Sequence, residues 1–125
     1  MSLIFLELIV SAIVGLLVGS FLATLVLRLP DRRPVIVDRS ACPACGHRLG
    51  ALELVPVVSW LAQGRRCRAC GARISGFYPL MEIASALVAV ATIWFVPWPA
   101  AAFACFGGWI LLTGTALAVR KLRVP

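Results

Sequence analysis

The amino-acid sequence predicts an all-α membrane protein with three transmembrane helices and one long polar loop between the first two. Three observations predict this class: two uncharged runs long enough to span a bilayer, 62% hydrophobic residues with a mean hydropathy of +1.00, and a strict segregation of the basic residues. Soluble domains are only about half apolar, so the composition favours a membrane protein. Residues 1–125 are interpreted as one membrane domain, because this length is typical of a single domain.

The first transmembrane helix is predicted over residues 4–27. Residues 8–27 carry no charge, and about 20 apolar residues of helix cross a bilayer core. A cleaved secretory signal is not expected, because the segment before the uncharged run has no Lys or Arg and carries Glu7. Small residues recur at every fourth position, a spacing that lets membrane helices pack closely: Ser11, Gly15, Gly19 and Ala23.

The second uncharged run, residues 83–119, is too long for one transmembrane helix and is interrupted by Pro97-Trp98-Pro99. Proline is disfavoured inside a helix, and tryptophan prefers the boundary between membrane and water. We therefore predict a second helix over residues 78–96 and a third over residues 101–119.

The basic residues predict the orientation of the protein in the membrane. Every Lys and Arg lies either in the loop of residues 28–77 or after residue 119. Three membrane spans place these two segments on the same side, and Lys and Arg are enriched on the cytoplasmic side of membranes. The loop and the C-terminus are therefore expected in the cytoplasm. That compartment keeps thiols reduced, so we expect thiols or metal ligands rather than disulfides.

The polar loop contains two Cys-x-x-Cys pairs separated by 21 residues, in the near-copies CPACGHR (42–48) and CRACGAR (67–73). Such pairs are typical of a structural Zn²⁺ site with four thiolate ligands. A loop this short does not build a core of its own, and a metal would stabilise it. An iron–sulfur site and a His47 ligand stay open as alternatives, whereas a redox pair normally needs a βαβ frame. The predicted ligands are Cys42, Cys45, Cys67 and Cys70.

Other polar residues of the loop and its borders are weaker candidates for function. Ionisable groups near membrane depth are functional candidates, which singles out Glu53 and Glu82, although Glu82 also fits an interfacial position. Four arginines would attract an anionic cosubstrate or lipid head groups, or would only fix the topology: Arg65, Arg66, Arg68 and Arg73. The modest positive charge of the loop is explained by topology, so no nucleic-acid partner is expected.

Five segments together resemble the N-terminal, cysteine-loop part of the type IV prepilin peptidase/N-methyltransferase family: GSFLATLVLRLP (19–30), CPACGHRL (42–49), ELVPVVSWL (53–61), RCRACGARIS (66–75) and YPLMEI (78–83). The resemblance implies a multi-pass protein of the bacterial inner membrane with a periplasmic N-terminus. Members of the family are aspartic peptidases that cut the leader from prepilins of the type IV pilus and from pseudopilins of type II secretion. They then methylate the new N-terminal amine with S-adenosylmethionine, and the cysteine loop belongs to the half linked to methyl transfer.

The sequence departs from the family pattern at the predicted catalytic aspartates. Aligning Arg120 and Pro125 with the family puts Ala118 at the position of the first aspartate, and the second aspartate with its GxGD motif is absent from the sequence. Catalytic residues therefore stay unassigned. The resemblance implies a methyltransferase or accessory module without leader cleavage of its own, working on a prepilin or pseudopilin as a homo-oligomer or with a separate peptidase half. The alternative is a non-enzymatic membrane assembly or scaffold protein that retains the zinc loop.

Overall fold

The computed structural model describes residues 3–36 and 39–123, which form four α-helices. They are α1 (Leu3–Arg28), α2 (Val58–Ala62), α3 (Phe77–Phe95) and α4 (Ala100–Arg123), with a 3-10 turn over Ala51–Leu54. Within the described ranges there is no β-strand, only two isolated bridges. Helices α1, α3 and α4 are long and apolar enough to cross a membrane. The predicted fold class, an all-α membrane protein with a cysteine loop between its first two spans, is confirmed.

Helices α1 and α3 approach each other at the glycines of the small-residue ridge. A Cβ atom added to Gly19 would lie 2.6 Å from the Cα of Glu82 and 2.7 Å from the carbonyl oxygen of Met81. One added to Gly15 would lie 2.5 Å from the Cα of Ala86. The backbones touch because these positions have no side chain, as in other membrane helix pairs with small residues at this spacing. Ala23 continues the buried ridge, while Ser11 is half-buried and donates a hydrogen bond to its own helix.

Helix α4 packs on α3 and contacts the C-terminal end of α1. The indole Nε1 of Trp109 donates a hydrogen bond to the Ser85 carbonyl oxygen, at 3.2 Å. At the other end, the Arg120 guanidinium donates to the carbonyl oxygen of Val26 at 2.9 Å and to Asp31 at 3.3 Å. Arg120 thus caps the carbonyl end of α1 with a cation, where the helix dipole is negative.

The outer faces of the three long helices are apolar and exposed. Side chains such as Phe5, Leu17, Trp94 and Phe103 expose half or more of their surface. In a water-soluble protein such a continuous surface would drive aggregation. Around helices of membrane-spanning length it is the surface that lipid tails cover.

Candidate metal centre and the cavity beneath it

The two cysteine pairs fold into two knuckles with the same backbone pattern. In the first, the N–H of Cys42 donates to the His47 carbonyl and the N–H of Gly46 donates to the Cys42 carbonyl, at 2.9 and 2.8 Å. The second repeats both bonds between the equivalent residues, each at 2.9 Å. Gly46 and Gly71 have φ values of 73° and 71°, a left-handed conformation that glycine adopts without steric cost. The repeated glycine after each pair is therefore a geometric requirement of the knuckle.

The knuckles face each other and bring four sulfurs together. The Sγ atoms of Cys42 and Cys70 are 3.8 Å apart, and those of Cys45 and Cys67 are 3.9 Å apart. All four lie within 4.8 Å of one another. A tetrahedron of thiolates around zinc, with Zn–S bonds of about 2.3 Å, has S···S edges of about 3.8 Å. The four cysteines can therefore hold one metal ion, and the donor set and spacing fit Zn²⁺.

The knuckle backbone also favours ionised thiols. The N–H groups of Cys45 and Ala44 stabilise the Cys42 thiolate and lower the pKa of Cys42 to about 7. The equivalent N–H groups of the second knuckle lower the pKa of Cys67. At Cys45 the N–H of His47 acts in the same direction, but burial and the neighbouring thiols outweigh it and raise the pKa to about 12. A bound divalent cation would keep all the thiols ionised despite these opposite pKa shifts, because a coordinating thiol is deprotonated outright.

The arginines at positions 65, 66, 68 and 73 of the loop are exposed and have different surroundings. The guanidinium of Arg65 lies over the Trp60 ring, 5.0 Å from its centroid. Arg66 donates to the Gly71 carbonyl at 3.3 Å and so supports the second knuckle. Arg68 acts electrostatically on Glu53, and Arg73 lines a cavity. The geometry therefore does not gather them into one anion-binding cluster.

The segment between the knuckles folds back onto the membrane helices through a strained turn. Val57 has φ 59° and ψ −50°, and the N–H of Val58 donates to the Pro56 carbonyl at 2.5 Å. Together these define the positive-φ form of the γ-turn, which is rare and strained, and more so for a β-branched residue. The buried carboxylate of Glu82 accepts the N–H of Val57 at 2.7 Å. Glu82 thus ties the cysteine loop to α3.

Removing the hydrogen bond between Val57 and Glu82 should lower the stability of the cysteine loop. Replacing Glu82 by Ala leaves the half-buried Val57 N–H without its acceptor, which we expect to destabilise the loop by about 1–3 kcal/mol. Limited proteolysis of the purified protein should then cut the segment between the knuckles faster. Glu82→Gln keeps an acceptor oxygen and should be cut at nearly the original rate, as should a variant of the exposed Glu7, Glu7→Ala. Equal protection of all three variants would contradict the role assigned to Glu82.

Glu53 lies in the same region and is a poorly exposed carboxylate. Its Oε2 accepts the Gly50 N–H at 2.8 Å and lies 3.6 Å from Nε2 of His47. The hydrogen bond from Gly50, and then the positive charges near it, lower the pKa of Glu53. Among the described residues, the metal cluster consists of the four cysteines, and His47 faces Glu53 instead.

A cavity of about 410 Å³ lies between the knuckles and the membrane helices. Its walls include Ser20 of α1, Tyr78 and Glu82 of α3, and Gln63 and Trp60 of the loop. Val57, Gln63 and Tyr78 were not predicted as site residues. Val57 and Tyr78 lie in the ELVPVVSWL and YPLMEI segments, which is their only sequence signal, and Gln63 lies outside both and has none. Ala118 is exposed on α4, outside this cavity, and Pro125, used to align it, lies outside the described residues.

Comparison with known families identifies the fold. A model of the bacterial peptidase A24 N-terminal domain matches residues 13–96. The chain belongs to this family. The matched range of the A24 N-terminal domain includes both knuckles, the γ-turn, Gly15 and Gly19 of α1 and all of α3. The resemblance predicted from the five sequence segments is therefore confirmed.

Three curated relatives of this A24 N-terminal domain carry the name prepilin leader peptidase/N-methyltransferase. The protein of Myxococcus xanthus (strain DK1622) is 43% identical, over 90% of this chain and 30% of the relative. Those of Pseudomonas putida and Aeromonas hydrophila are 38% and 34% identical, over 67% and 89% of this chain and 37% and 47% of the relatives. The chain thus spans between 30% and 47% of the length of these relatives. No solved structure matches it.

Proposed function

We propose that this chain is the N-terminal module of a prepilin leader peptidase/N-methyltransferase and serves the methyl-transfer half of that activity. The observation that carries the proposal is the pair of matched knuckles above a cavity, with the segment between them tied to α3 through Glu82. This arrangement lies within the range of residues 13–96 that the family shares. The reaction would move a methyl group from the sulfonium of S-adenosylmethionine to the N-terminal amine of a cleaved pilin or pseudopilin.

The metal in this proposal is Zn²⁺, bound by Cys42, Cys45, Cys67 and Cys70 in a structural role. All four tetrahedral positions are taken by protein thiolates, and such closed sites typically stabilise a fold instead of activating a substrate. The ion would join the two knuckles and so fix the shape of the intervening segment that lines the cavity. A structural role would explain why the domain has a metal site although methyl transfer needs no Lewis acid.

The proposed location is the bacterial inner membrane, as one membrane domain with the cysteine loop on the cytoplasmic side. This orientation is supported by the basic residues, which lie in the cysteine loop and at the end of α4. Helix α4 ends with Arg120, Lys121 and Arg123. Cytoplasmic S-adenosylmethionine would then have direct access to the loop. The lipid bilayer covers the apolar outer faces of α1, α3 and α4, and a separate peptidase half or a second copy would contact one of them.

Leader cleavage is not proposed for the residues present in this chain. An aspartic peptidase needs two carboxylates that share a proton. Helix α4 contains no acidic residue, and Ala118 takes the position expected for the first aspartate. The methyl-transfer half of the activity has no such requirement.

A methyl-transfer assay tests the proposal. The purified chain, in nanodiscs, is incubated with radiolabelled S-adenosylmethionine and a pilin peptide that begins at the cleavage site. We expect label in the peptide, and at least a tenfold loss with Cys67→Ser, because the loop loses its metal. Cys105→Ser changes a cysteine of α4 outside the metal cluster and should retain the activity. Leader cleavage of an intact prepilin by this chain alone would contradict the interpretation of Ala118.

The alternative is a non-enzymatic assembly or scaffold protein, and Ala118 is the observation that favours it. Such a protein would keep the knuckles and the glycine ridge for structure alone. It predicts a chain that binds zinc and co-purifies with pilus or secretion components, yet transfers no methyl group in the assay. Label incorporation by the unaltered chain and its loss in Cys67→Ser would exclude this alternative.

A further inference from the structure

The cavity beneath the knuckles is large enough for a small organic ligand. Its volume of about 410 Å³ falls within the usual range of roughly 300–1,000 Å³ for ligand sites. It is bounded by a helix pair that touches backbone to backbone and by a loop tied to α3. Rigid walls of this kind preserve a cavity instead of letting it collapse.

Two hydrogen-bond acceptors in the wall of this cavity have no donor. The Oε1 atoms of Glu53 and Gln63 are both buried and lack a hydrogen-bond partner among the residues that the structure describes. Both residues line the cavity, and the Glu53 side chain is only 10% exposed. Buried polar atoms are nearly always paired in native proteins. A ligand that pairs with either orphaned acceptor must therefore bring a donor.

The charge of Glu53 specifies the kind of donor. The hydrogen bond from Gly50 lowers the pKa of Glu53, so its poorly exposed carboxylate is an anion. Its Oε2 accepts the Gly50 N–H and lies 3.6 Å from His47, whereas its Oε1 faces no donor among the described residues. A primary ammonium group supplies three donors and one positive charge, so it suits an anionic oxygen that lacks a donor.

Other residues of the cavity wall are basic. Arg28, Arg33 and Arg120 line the cavity and act electrostatically on the hydroxyl of Tyr78. Arg120 is already paired with Asp31, which lines the cavity as well. The groups that act electrostatically on Glu53 are different ones, His47 and Arg68. The wall thus carries the Glu53 carboxylate and a separate set of arginines, a combination suited to a zwitterion.

We propose that Glu53 and Gln63 form a binding site for the primary ammonium group of a zwitterionic ligand whose anionic group faces the arginines. The site itself rests on the cavity, its two unpaired oxygens and the charges of its wall. Only the identity of the natural ligand rests on the proposed function. Two ligands of methyl transfer carry a primary ammonium group, namely the methionyl part of S-adenosylmethionine and the free N-terminus of a cleaved pilin. Glu53 and Gln63 would then act as positioning residues.

Three isosteric probes test the site without any enzymatic activity. Norleucine carries both charges, pentylammonium lacks the carboxylate and hexanoate lacks the ammonium group. The chain is labelled with 5-fluorotryptophan, and the ¹⁹F resonance of Trp60, which lines the cavity, is assigned with Trp60→Phe. The remaining tryptophans, Trp94, Trp98 and Trp109, lie outside the cavity and report unspecific partitioning into the membrane.

We expect norleucine to shift the Trp60 resonance saturably, and hexanoate to bind at least tenfold more weakly. Glu53→Gln keeps an acceptor for the Gly50 N–H but removes the charge, so the preference for norleucine over hexanoate should fall to about onefold. Glu7→Gln, on an exposed position of α1, should keep the full preference. Retained zinc in each variant confirms folding. An unshifted Trp60 resonance, or the same preference in Glu53→Gln as in the unaltered chain, would overturn the proposal.

Competition then separates this inference from the proposed function. S-adenosylmethionine, a pilin peptide with a free N-terminus and its N-acetylated form are each added to the norleucine complex. Displacement by S-adenosylmethionine or by the free peptide, but not by the acetylated peptide, identifies the source of the ammonium group. If norleucine binds through Glu53 and none of these ligands displaces it, the ammonium site stands and its link to methyl transfer is contradicted, while the methyl-transfer assay decides the function separately.

Discussion

Replacing Cys67 by Ser is expected to abolish stoichiometric zinc binding and to unfold the loop between α1 and α3. Cys67 is one of the two buried cysteines of the tetrad, and its sulfur is 3.9 Å from that of Cys45. Structural zinc contributes about 10–16 kcal/mol of apparent binding energy in zinc-finger peptides, far more than the loop could supply from its own core. The measurements are zinc content by mass spectrometry and limited proteolysis of the loop.

The fifth cysteine supplies a matched control for this prediction. Cys105 is half-buried in α4 and lies outside the metal cluster. Cys105→Ser should retain one zinc ion per chain and the original protease resistance. Chelation of the unaltered protein should reproduce the Cys67→Ser cleavage pattern. Full protease resistance after complete removal of zinc would show that the metal is not what stabilises the loop.

Replacing Gly19 by Ala is expected to destabilise the membrane helix pair, although alanine is the better helix former. The added Cβ would meet backbone atoms of α3 at 2.6 and 2.7 Å, so the two helices must separate. Overpacking of this kind typically costs about 1–3 kcal/mol, and separation also weakens the bond between Glu82 and Val57. The free energy of unfolding, measured by detergent titration in bicelles, should therefore fall.

Gly107→Ala is the control, because nothing lies within 4 Å of a Cβ built at that position of α4. There the gain in helix propensity, about 1 kcal/mol, is unopposed, and stability should stay equal or rise. The two substitutions are chemically identical, and they are predicted to act with opposite signs. A common sign and size would mean that the close contact of α1 with α3 is not the stabilising feature assigned to it.

Much of the fold could be predicted from the sequence because the bilayer imposes simple rules. Uncharged runs and the interruption at Pro97 and Pro99 indicate three spans, since spanning length is set by membrane thickness. The near-identity of CPACGHR and CRACGAR likewise predicts two equivalent knuckles, because positive φ after each second cysteine demands glycine. These signals are local in the chain and need no knowledge of tertiary contacts.

The rest of the site could not be predicted, because it depends on contacts between distant residues. From the sequence alone, Glu82 fits an interfacial position and a functional one equally well. Only the fold shows that its carboxylate accepts the N–H of Val57, 25 positions away. Nothing in the sequence indicates the γ-turn at Val57, since a β-branched residue such as valine rarely adopts a positive φ. Gln63 attracts attention only when its buried oxygen is found without a donor.

X-ray absorption at the zinc K-edge of the purified protein tests the central claim most directly, namely that both knuckles bind one metal ion. The convergence of the Sγ atoms of Cys42, Cys45, Cys67 and Cys70 within 4.8 Å predicts a single shell of four sulfurs, at about 2.3 Å from zinc. A first shell with nitrogen or oxygen in place of any sulfur, or a protein that carries iron and sulfide instead of zinc, would contradict it.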